Sequence, residues 1–334
     1  MKINKKFIEI VKYTKEELKE YLHKELSKYY KEIINEDGFL FVKGEDNICL
    51  TAHMDTTPNL EYGKRKPVKK IKIKNKNNKT YISAKEGIGG DDRCGVFMIM
   101  QILETTSLRP SIVFCEDEEI GCIGSTKFSR SVYVNLIEND YFVIELDRRG
   151  NNDIVFYDDD NKDFHEFVKE TTGYEIEEGS CSDISEICPA CKRSGVNLSC
   201  GYYNEHHHYE YVIYEEMMRT LETTINLIKK GIERKEHFEY KEKEYQRYYR
   251  YSYFNNKLDE TLNLWIQFVD ENGYEKEVIY QGDDEYEMWF DFFNDHPNVS
   301  MSCIIDYYSY YEKERFMNYH TDDIGNGFYN TKIV

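Results

Sequence analysis

The sequence has no long apolar run, and its start lacks an apolar secretory core. No stretch approaches the roughly 18 consecutive apolar residues that a membrane-spanning helix needs. Residues 1–22 are charged throughout. These absences predict a protein of the cytoplasm that has no membrane partner.

Basic residues are scarce relative to acidic ones. The 334 residues include 44 lysines and arginines against 63 aspartates and glutamates, which gives a formal net charge of −19. Such a surface disfavours nucleic acid and anionic membranes, so neither is an expected partner. One basic run, residues 64–79, has Ile71 and Ile73 at strand-like spacing and Asn77 and Asn78 at a turn, which favours a solvated hairpin.

The cysteines do not form the pattern of a disulfide framework. Their number, nine, is odd, and no secretory signal accompanies them, so we expect free thiols. Cys188 and Cys191 form a CxxC pair, but the sequence has no second pair. This favours small, partly buried residues over a zinc or redox site.

The sequence also has no internal repeat.

Short apolar segments that alternate with helical ones predict an α/β fold. The chain is 40% hydrophobic and long enough for one large or two ordinary domains. We expect a mixed, mostly parallel twisted sheet flanked by helices. The strand segments lie at 38–52 (two strands around a turn), 110–115, 141–146 and 195–200, and the helical ones at 15–31, 91–104 and 214–232.

The character of the sequence changes after about residue 235. The following segment is charged and rich in tyrosine, and both tryptophans come after it. We therefore predict a first domain over 1–235 and a small appended, aromatic-rich α+β module of unknown role over 236–334. Its predicted elements are a hairpin that turns at Asn272 and Gly273, a helix over 283–293 and a strand over 299–311.

Groups that can bind a metal follow each predicted strand. In open α/β sheets, ligand sites form outside the carboxyl ends of the strands, so these groups should converge. Taken singly, each has an ordinary explanation, such as a solvated acidic loop or a core histidine. The groups are His53 and Asp55, the acids 116–119, Asp147 and His206.

The stretch GIGGDDRCGV, residues 87–96, adds a further acid to this set. Asp91 and Asp92 repel each other at the start of a predicted helix. A helix N-terminus favours negative charge, which is one explanation. The other is that one aspartate binds a cation. Burying several unpaired carboxylates costs several kcal/mol each, and a divalent ion offsets that cost. Two histidines and three carboxylates can hold two zinc ions roughly 3.5–4 Å apart if one carboxylate bridges them.

Five separated motifs resemble those of the co-catalytic dinuclear-zinc exopeptidases. This clan includes zinc aminopeptidases, peptidase T-like tripeptidases and carboxypeptidase G-like enzymes. The resemblance covers roughly residues 40–232 and leaves out the C-terminal module. The motifs are TAHMDTTP, GIGGDDRCG, CEDEEIGCIGS, ELDRRG and GYYNEHHHYEYV.

The resemblance implies a set of metal ligands. His53 and Asp147 would bind one zinc ion, Glu119 and His206 the other, and Asp91 would bridge them. Cobalt or manganese could substitute for zinc. The domain over 1–235 would then be a zinc-dependent peptidase domain.

The resemblance also implies roles for neighbouring residues. Glu118 would be the general base, Asp55 would orient His53, and a cis peptide often follows the bridging aspartate in this clan. The fourth ligand stays open between Glu145 and Asp147, because both lie on one face of a strand and the clan uses either acid. Asp147 is our choice because it comes last on that strand.

Three adjacent histidines compete for the last ligand position. The resemblance requires a histidine that is followed four residues later by a glutamate, and only His206 with Glu210 meets that spacing. His207 and His208 are then expected to be exposed loop residues.

Spacing separates this chain from two branches of the clan. Too few residues lie between Asp147 and His206, or between His53 and Asp91, for the domains that those branches insert there. The compact aminopeptidases without a lid insertion are therefore the nearest match.

The function that we predict is removal of the N-terminal residue from a short peptide or amino-acyl compound. A hydroxide bridging two zinc ions would attack the carbonyl, with Glu118 as the general base. One alternative is a deacylase or amidohydrolase that acts on a non-peptide amide. Another is a metal-stabilised binding protein with vestigial activity, against which the presence of Glu118 argues. An oligomer is compatible with the sequence.

Overall fold

The computed structural model describes residues 3–57, 68–243, 262–270, 274–282 and 304–311, with five single residues between 288 and 299. The chain divides into two units, residues 1–250 and 251–334. The strands described in the first unit are β1 (Ile34–Glu36), β2 (Phe39–Val42), β3 (Cys49–His53), β4 (Ile71–Lys76), β5 (Lys79–Ala84), β6 (Ser111–Cys115), β7 (Val143–Arg148), β8 (Asp153–Val155), β9 (Glu175–Ile176), β10 (Gly195–Ser199), β11 (Tyr202–Tyr203) and β12 (Tyr211–Ile213).

Four parallel strands form the middle of the main sheet. Within the described residues, the strand order is β1-β2-β6-β3-β7-β10-β8-β9, and β6, β3, β7 and β10 run parallel to one another. Strands β3, β6 and β10 are buried along their whole length, as expected for strands covered on both faces. Strands β2 and β3 do not pair with each other, because β6 lies between them.

Helices cover both faces of this sheet, which confirms the predicted α/β class with a mostly parallel sheet. Helix α3 packs on β3 and β7 and is covered by α1 and α7, so it is buried on nearly every side. The helices are α1 (Lys5–Ile10), α2 (Lys15–Leu26), α3 (Gly90–Thr105), α4 (Ile123–Ser129), α5 (Lys162–Thr172), α6 (Asp183–Cys191) and α7 (Tyr214–Arg234), with a 3-10 helix over Val132–Ile137.

Helix α2 begins at a capping box. The Thr14 side chain accepts a hydrogen bond from the Glu17 amide, and the Glu17 carboxylate accepts one from the Thr14 amide. The helix ends at Leu26, earlier than the predicted residue 31. Its first two turns present Lys15 and Lys19, which form ion pairs with Asp117 (2.6 Å) and Glu116 (2.8 Å) in the loop after β6.

The basic segment forms a hairpin, as predicted. Strands β4 and β5 pair antiparallel, and Asn77 and Asn78 at the turn have φ angles of 50° and 59°. Asparagine tolerates this left-handed conformation, which a tight two-residue hairpin turn requires at both positions. The hairpin covers residues 71–84, and it belongs to a second sheet of order β11-β12-β5-β4. Residues 64–67 of the basic run lie outside the described residues.

The second unit contains an antiparallel sheet of β13 (Leu262–Val269), β14 (Glu275–Gly282) and β15 (Ile304–Tyr311), with β13 in the middle. Leu264, Ile266 and Phe268 of β13 are buried against Met288 and Phe292. The predicted turn at residues 272–273 and most of the predicted helix over 283–293 lie outside the described residues.

The described segment after α7, residues 235–243, belongs to the first unit and packs on its core. Phe238 is only 2% exposed and lies among the rings of Phe142, Phe164 and Phe167. Its amide donates to the carbonyl of Tyr141. The predicted domain boundary at residue 235 stays a prediction, but the core of the first unit includes this ring.

Along the described ranges, no helix has the length and apolarity that a bilayer crossing requires. The eight cysteines of those ranges are free thiols. Cys188 and Cys191 are both buried, and the Cys191 thiol donates to the Cys188 carbonyl.

Candidate metal centre

The predicted ligands converge at the carboxyl edge of the central parallel strands. Each is placed by the end of a strand or by the start of a helix. His53 ends β3, Glu118 and Glu119 follow β6, Asp147 lies near the end of β7, His206 lies in the loop after β11, and Asp91 lies in the first turn of α3.

His53 is the buried centre of one group of ligand atoms. Its side chain is fully buried, and its Nε2 lies 2.9 Å from Asp91 Oδ1. The same nitrogen lies 3.6 Å from Asp147 Oδ1 and 3.8 Å from Glu118 Oε2. Three carboxylates therefore face one imidazole nitrogen.

His206 forms a second group with Glu119. Its Nε2 lies 2.9 Å from Glu119 Oε2 and 3.2 Å from Asp91 Oδ2. The two oxygens of Asp91 therefore face different histidines. This is the arrangement that a bridging carboxylate has between two ions.

These donor atoms fit divalent cations. Ligand atoms around a tetrahedral zinc ion lie roughly 3.3 Å apart, since each lies about 2.0–2.1 Å from the ion. The distances from the two histidine nitrogens, 2.9 to 3.8 Å, bracket that separation. Ligand atoms of His53, Asp91 and Glu119 lie within 4.8 Å of one another, as do those of His53, Glu118 and Asp147.

The carboxylates of the centre also favour bound positive charge. Burial and then the charge of Asp91 raise the pKa of Asp147 to about 7. Burial lowers the pKa of His206, but hydrogen bonds to Asp91 and Glu119 outweigh it and raise that pKa to about 11. Neighbouring negative charge contributes to both shifts, and each shift favours the protonated form.

Within the described ranges, no lysine or arginine forms an ion pair with Asp91, Glu118, Glu119 or Asp147. Buried carboxylates without a compensating charge are strongly destabilising. Protons or bound cations must supply that charge, and the chemistry of the donors suits cations.

Asp55 connects His53 to the loop that carries the two glutamates. Its Oδ1 lies 3.4 Å from His53 Nδ1, and its backbone oxygen lies 3.2 Å from the same nitrogen. Its two carboxylate oxygens accept hydrogen bonds from the amides of Glu118 and Glu119, each at 3.2 Å. Asp55 thus fixes the imidazole and the loop together.

The glycine-rich turn is held by a glutamate and by close packing. Glu210 is buried and accepts hydrogen bonds from the amides of Gly89 and Asp91. At Gly90 an added Cβ would lie 2.7 Å from side-chain atoms of Tyr202 and Val212, so no larger residue fits.

The peptide between Asp91 and Asp92 is cis, as the resemblance implies. Asp92 is fully buried, and its carboxylate accepts hydrogen bonds from the amides of His53 and Gly95. The two adjacent acids therefore have different surroundings. Asp91 faces the histidines, and Asp92 accepts hydrogen bonds from the backbone.

Three residues that hold Asp147 were not identified from the sequence. The Tyr202 hydroxyl donates to Asp147 Oδ1 (3.1 Å), the Ser182 hydroxyl donates to Oδ2 (3.2 Å), and Asn197 Oδ1 accepts from the Asp147 amide (2.9 Å). Tyr202 lies within the last motif, but the sequence gives no signal of its partner. Ser182 comes from a segment with no motif at all.

Glu145 does not take the position of Asp147. It is fully buried, and within the described residues Ser182 is the side chain near its carboxylate, at a geometry outside that of an ordinary hydrogen bond. Burial raises its pKa well above the ordinary range. The structure brings Asp147, and not Glu145, toward His53.

His207 and His208 are exposed. His207 Nδ1 lies 2.7 Å from the carbonyl of Glu205. The two carboxylates that face His206 make no ion pair with either neighbouring histidine in the described part of the chain.

Comparison with solved structures gives neighbours at low identity. Aminopeptidase PepT from Bacillus cereus aligns over 67% of this chain and 96% of its own, at 16% identity and a TM-score of 0.51. A tripeptidase from Staphylococcus aureus aligns over 68% and 97%, at 12% identity and a TM-score of 0.52. The TET aminopeptidase from a marine sediment archaeon of the Thaumarchaeota aligns over 70% and 100%, at 14% identity and a TM-score of 0.50.

The chain has the fold of these peptidases. The fold that the resemblance of the five motifs implies is therefore confirmed. At these identities the likeness is one of fold alone. No protein-family model matches the sequence, and a search of curated proteins found no match either.

Proposed function

We propose that this protein is a metal-dependent aminopeptidase with two zinc ions, held by His53 and Asp147, by Glu119 and His206, and by Asp91 between them. The observation that carries the proposal is the placement of Asp91, whose two oxygens face His53 at 2.9 Å and His206 at 3.2 Å. A single-ion site would not need two histidines on opposite sides of one carboxylate.

Glu118 supplies the proton transfer in this proposal. Two zinc ions held by these residues would supply a water molecule of lowered pKa and positive charge near the scissile carbonyl oxygen. Glu118 Oε2 lies 3.8 Å from His53 Nε2, at the margin of the ligand cluster. Burial raises the pKa of Glu118 above its ordinary range. The Glu118 carboxylate can take a proton from the water and give it to the leaving amine.

The charge of the adjoining pocket favours a substrate with a free amine. This pocket lies beside Asp91 and Glu119, and its lining includes the carboxylates of Glu86 and Glu210. Among the described residues, one oxygen of Glu86 is buried with no hydrogen-bonding partner. The described residues that line the pocket include no lysine or arginine. The lining also includes His206, His207 and His208. Glu86 is neither a proposed zinc ligand nor, like Glu210, bound to the amides of the glycine-rich turn, so its carboxylate is the group that would attract a substrate ammonium.

The neighbours support the same substrate class, because two of those described above are named as aminopeptidases and one as a tripeptidase. We therefore propose short peptides with a free N-terminus as substrates. Acyl-blocked amides, the substrates of a deacylase, lack the ammonium group that the pocket attracts.

The test compares a tripeptide with its N-acetylated form. The full chain, loaded with zinc, is incubated with each, and the products are identified by mass spectrometry. We expect release of the N-terminal residue from the free peptide only, with Glu118→Gln as the inactive control. Release of acetate from the N-acetylated tripeptide would favour the deacylase instead. If the protein binds metal but hydrolyses neither peptide, the proposal is contradicted.

A further inference from the structure

We propose that Cys122 and Cys181 form a redox-modification site, where a hydroperoxide oxidises the two thiols to a disulfide beside Glu118. Their sulfur atoms lie 3.7 Å apart. The Cys122 sulfur also lies 3.8 Å from Glu118 Oε1, to which it can donate a hydrogen bond. The pair therefore lies against the proposed catalytic base.

The two cysteines are held by neighbouring helices. Cys122 directly precedes α4, and Cys181 lies one residue before Ser182, the N-cap of α6. Helices α4 and α6 pack on each other. The amide of Cys122 also donates to the carbonyl of Glu118 (3.0 Å), which closes the turn between them. The contact between the sulfurs is therefore part of a packed interface.

Access distinguishes this pair from the other thiols. Of the eight cysteines in the described ranges, Cys181 alone is exposed, and Cys122 is 5% exposed behind it. A small oxidant can reach Cys181 from solvent. The CxxC pair, Cys188 and Cys191, is buried on both members and makes no such contact with solvent.

The arrangement also favours reactivity at Cys181. The neighbouring Cys122 thiol lowers the pKa of Cys181, and the thiolate is the form that attacks peroxides. Attack on hydrogen peroxide gives a Cys181 sulfenic acid and releases hydroxide. The Cys122 sulfur then attacks the Cys181 sulfur, and the sulfenic oxygen leaves as water with the Cys122 proton. In sum, two thiols and one peroxide give one disulfide and two waters.

Oxidation would change the surroundings of Glu118. The disulfide removes the Cys122 S–H donor that faces Glu118 Oε1. It also ties the turn that carries Glu118 to the start of α6, where Ser182 donates to Asp147. We therefore expect the oxidised protein to lose most of its hydrolytic activity, an expectation that rests on the proposed function.

The chemical part is tested without any activity assay. The reduced full chain is treated with hydrogen peroxide, free thiols are alkylated, and the protein is digested for mass spectrometry. We expect a loss of two hydrogen atoms per chain and a cross-linked peptide that joins residues 122 and 181. Cys188→Ser should give the same product, and Cys181→Ser should give none. The proposed site would be contradicted if both thiols could still be alkylated after peroxide treatment. It would also be contradicted if Cys181 were found only as sulfinic acid or bonded to a cysteine other than Cys122.

The functional part uses the peptide assay with the same samples. Oxidised wild-type protein should lose activity and recover it with dithiothreitol, whereas Cys181→Ser should keep its activity through the treatment. A disulfide that forms with no loss of activity would overturn the regulatory role. If the reduced protein has no peptidase activity, that result counts against the proposed function. It does not change the conclusion about disulfide formation.

Discussion

Asp55 Oδ1 lies 3.4 Å from Nδ1 of His53, on the side of the imidazole opposite the ligand cluster. This contact leaves Nε2 directed at the carboxylates. Because the Asp55 carboxylate also accepts the amides of the loop after β6, one side chain sets the position of a histidine and of two glutamates.

Asp55→Ala should therefore weaken metal binding and activity together. We expect metal affinity to fall about 10–100-fold, the range typical for loss of a group that orients a ligand. Zinc titration and kcat measured at saturating zinc would check this. Asp163→Ala, an exposed acid at the start of α5, is the control and should change neither quantity. Unchanged affinity in Asp55→Ala would contradict the role.

Glu118→Gln and Glu119→Gln should separate proton transfer from metal binding. Glu118→Gln keeps the shape of the side chain but removes the proton acceptor, so kcat should fall by about two to four orders of magnitude with metal content intact. Glu119 faces His206 at 2.9 Å, so Glu119→Gln should lose metal. Elemental analysis beside kinetics distinguishes them, and identical behaviour would show that the roles are misassigned.

Asp147 and Glu145 differ in their surroundings, so their variants should differ as well. Burial raises the pKa of Glu145 well above its ordinary range. Glu145→Gln keeps the shape of a side chain that lies outside the groups of ligand atoms around His53, so we expect little effect on metal content. Asp147→Asn should lose metal. Loss of metal in the Glu145 variant alone would reverse the choice of ligand.

The convergence of His53, Glu119 and Asp147 could be predicted from the sequence because each lies at the end of a short apolar strand or just after one, and parallel strands end at one edge. Asp91, at the start of a helix, and His206, in a loop, were added to this group from the motifs. The motifs do not reveal Ser182 or Tyr202, whose contacts with Asp147 join segments distant in the chain. The end of α2 at Leu26 was also missed. Helical periodicity continues past that residue, and such endings depend on tertiary packing.

The segment after α7 should be needed for stability, because Phe238 fills the core of the first unit. A chain that ends after residue 243 keeps this ring and should fold, whereas one that ends at residue 235 loses it. Removal of a buried phenylalanine costs about 3–5 kcal/mol. Thermal unfolding of both chains, with Phe238→Ala in the full chain for comparison, measures the difference. Equal midpoints for the two truncated chains would contradict the packing argument.

The count of bound zinc ions tests the central claim most directly. Elemental analysis of the zinc-saturated, desalted full chain should give two ions per wild-type chain, because Asp91 faces both histidines. His206→Ala should retain about one, since one tetrahedral site keeps its other donors, and His208→Ala, the matched exposed neighbour, should retain two. One ion or none in the wild-type chain, or equal loss in the two histidine variants, would contradict a two-ion centre bridged by Asp91.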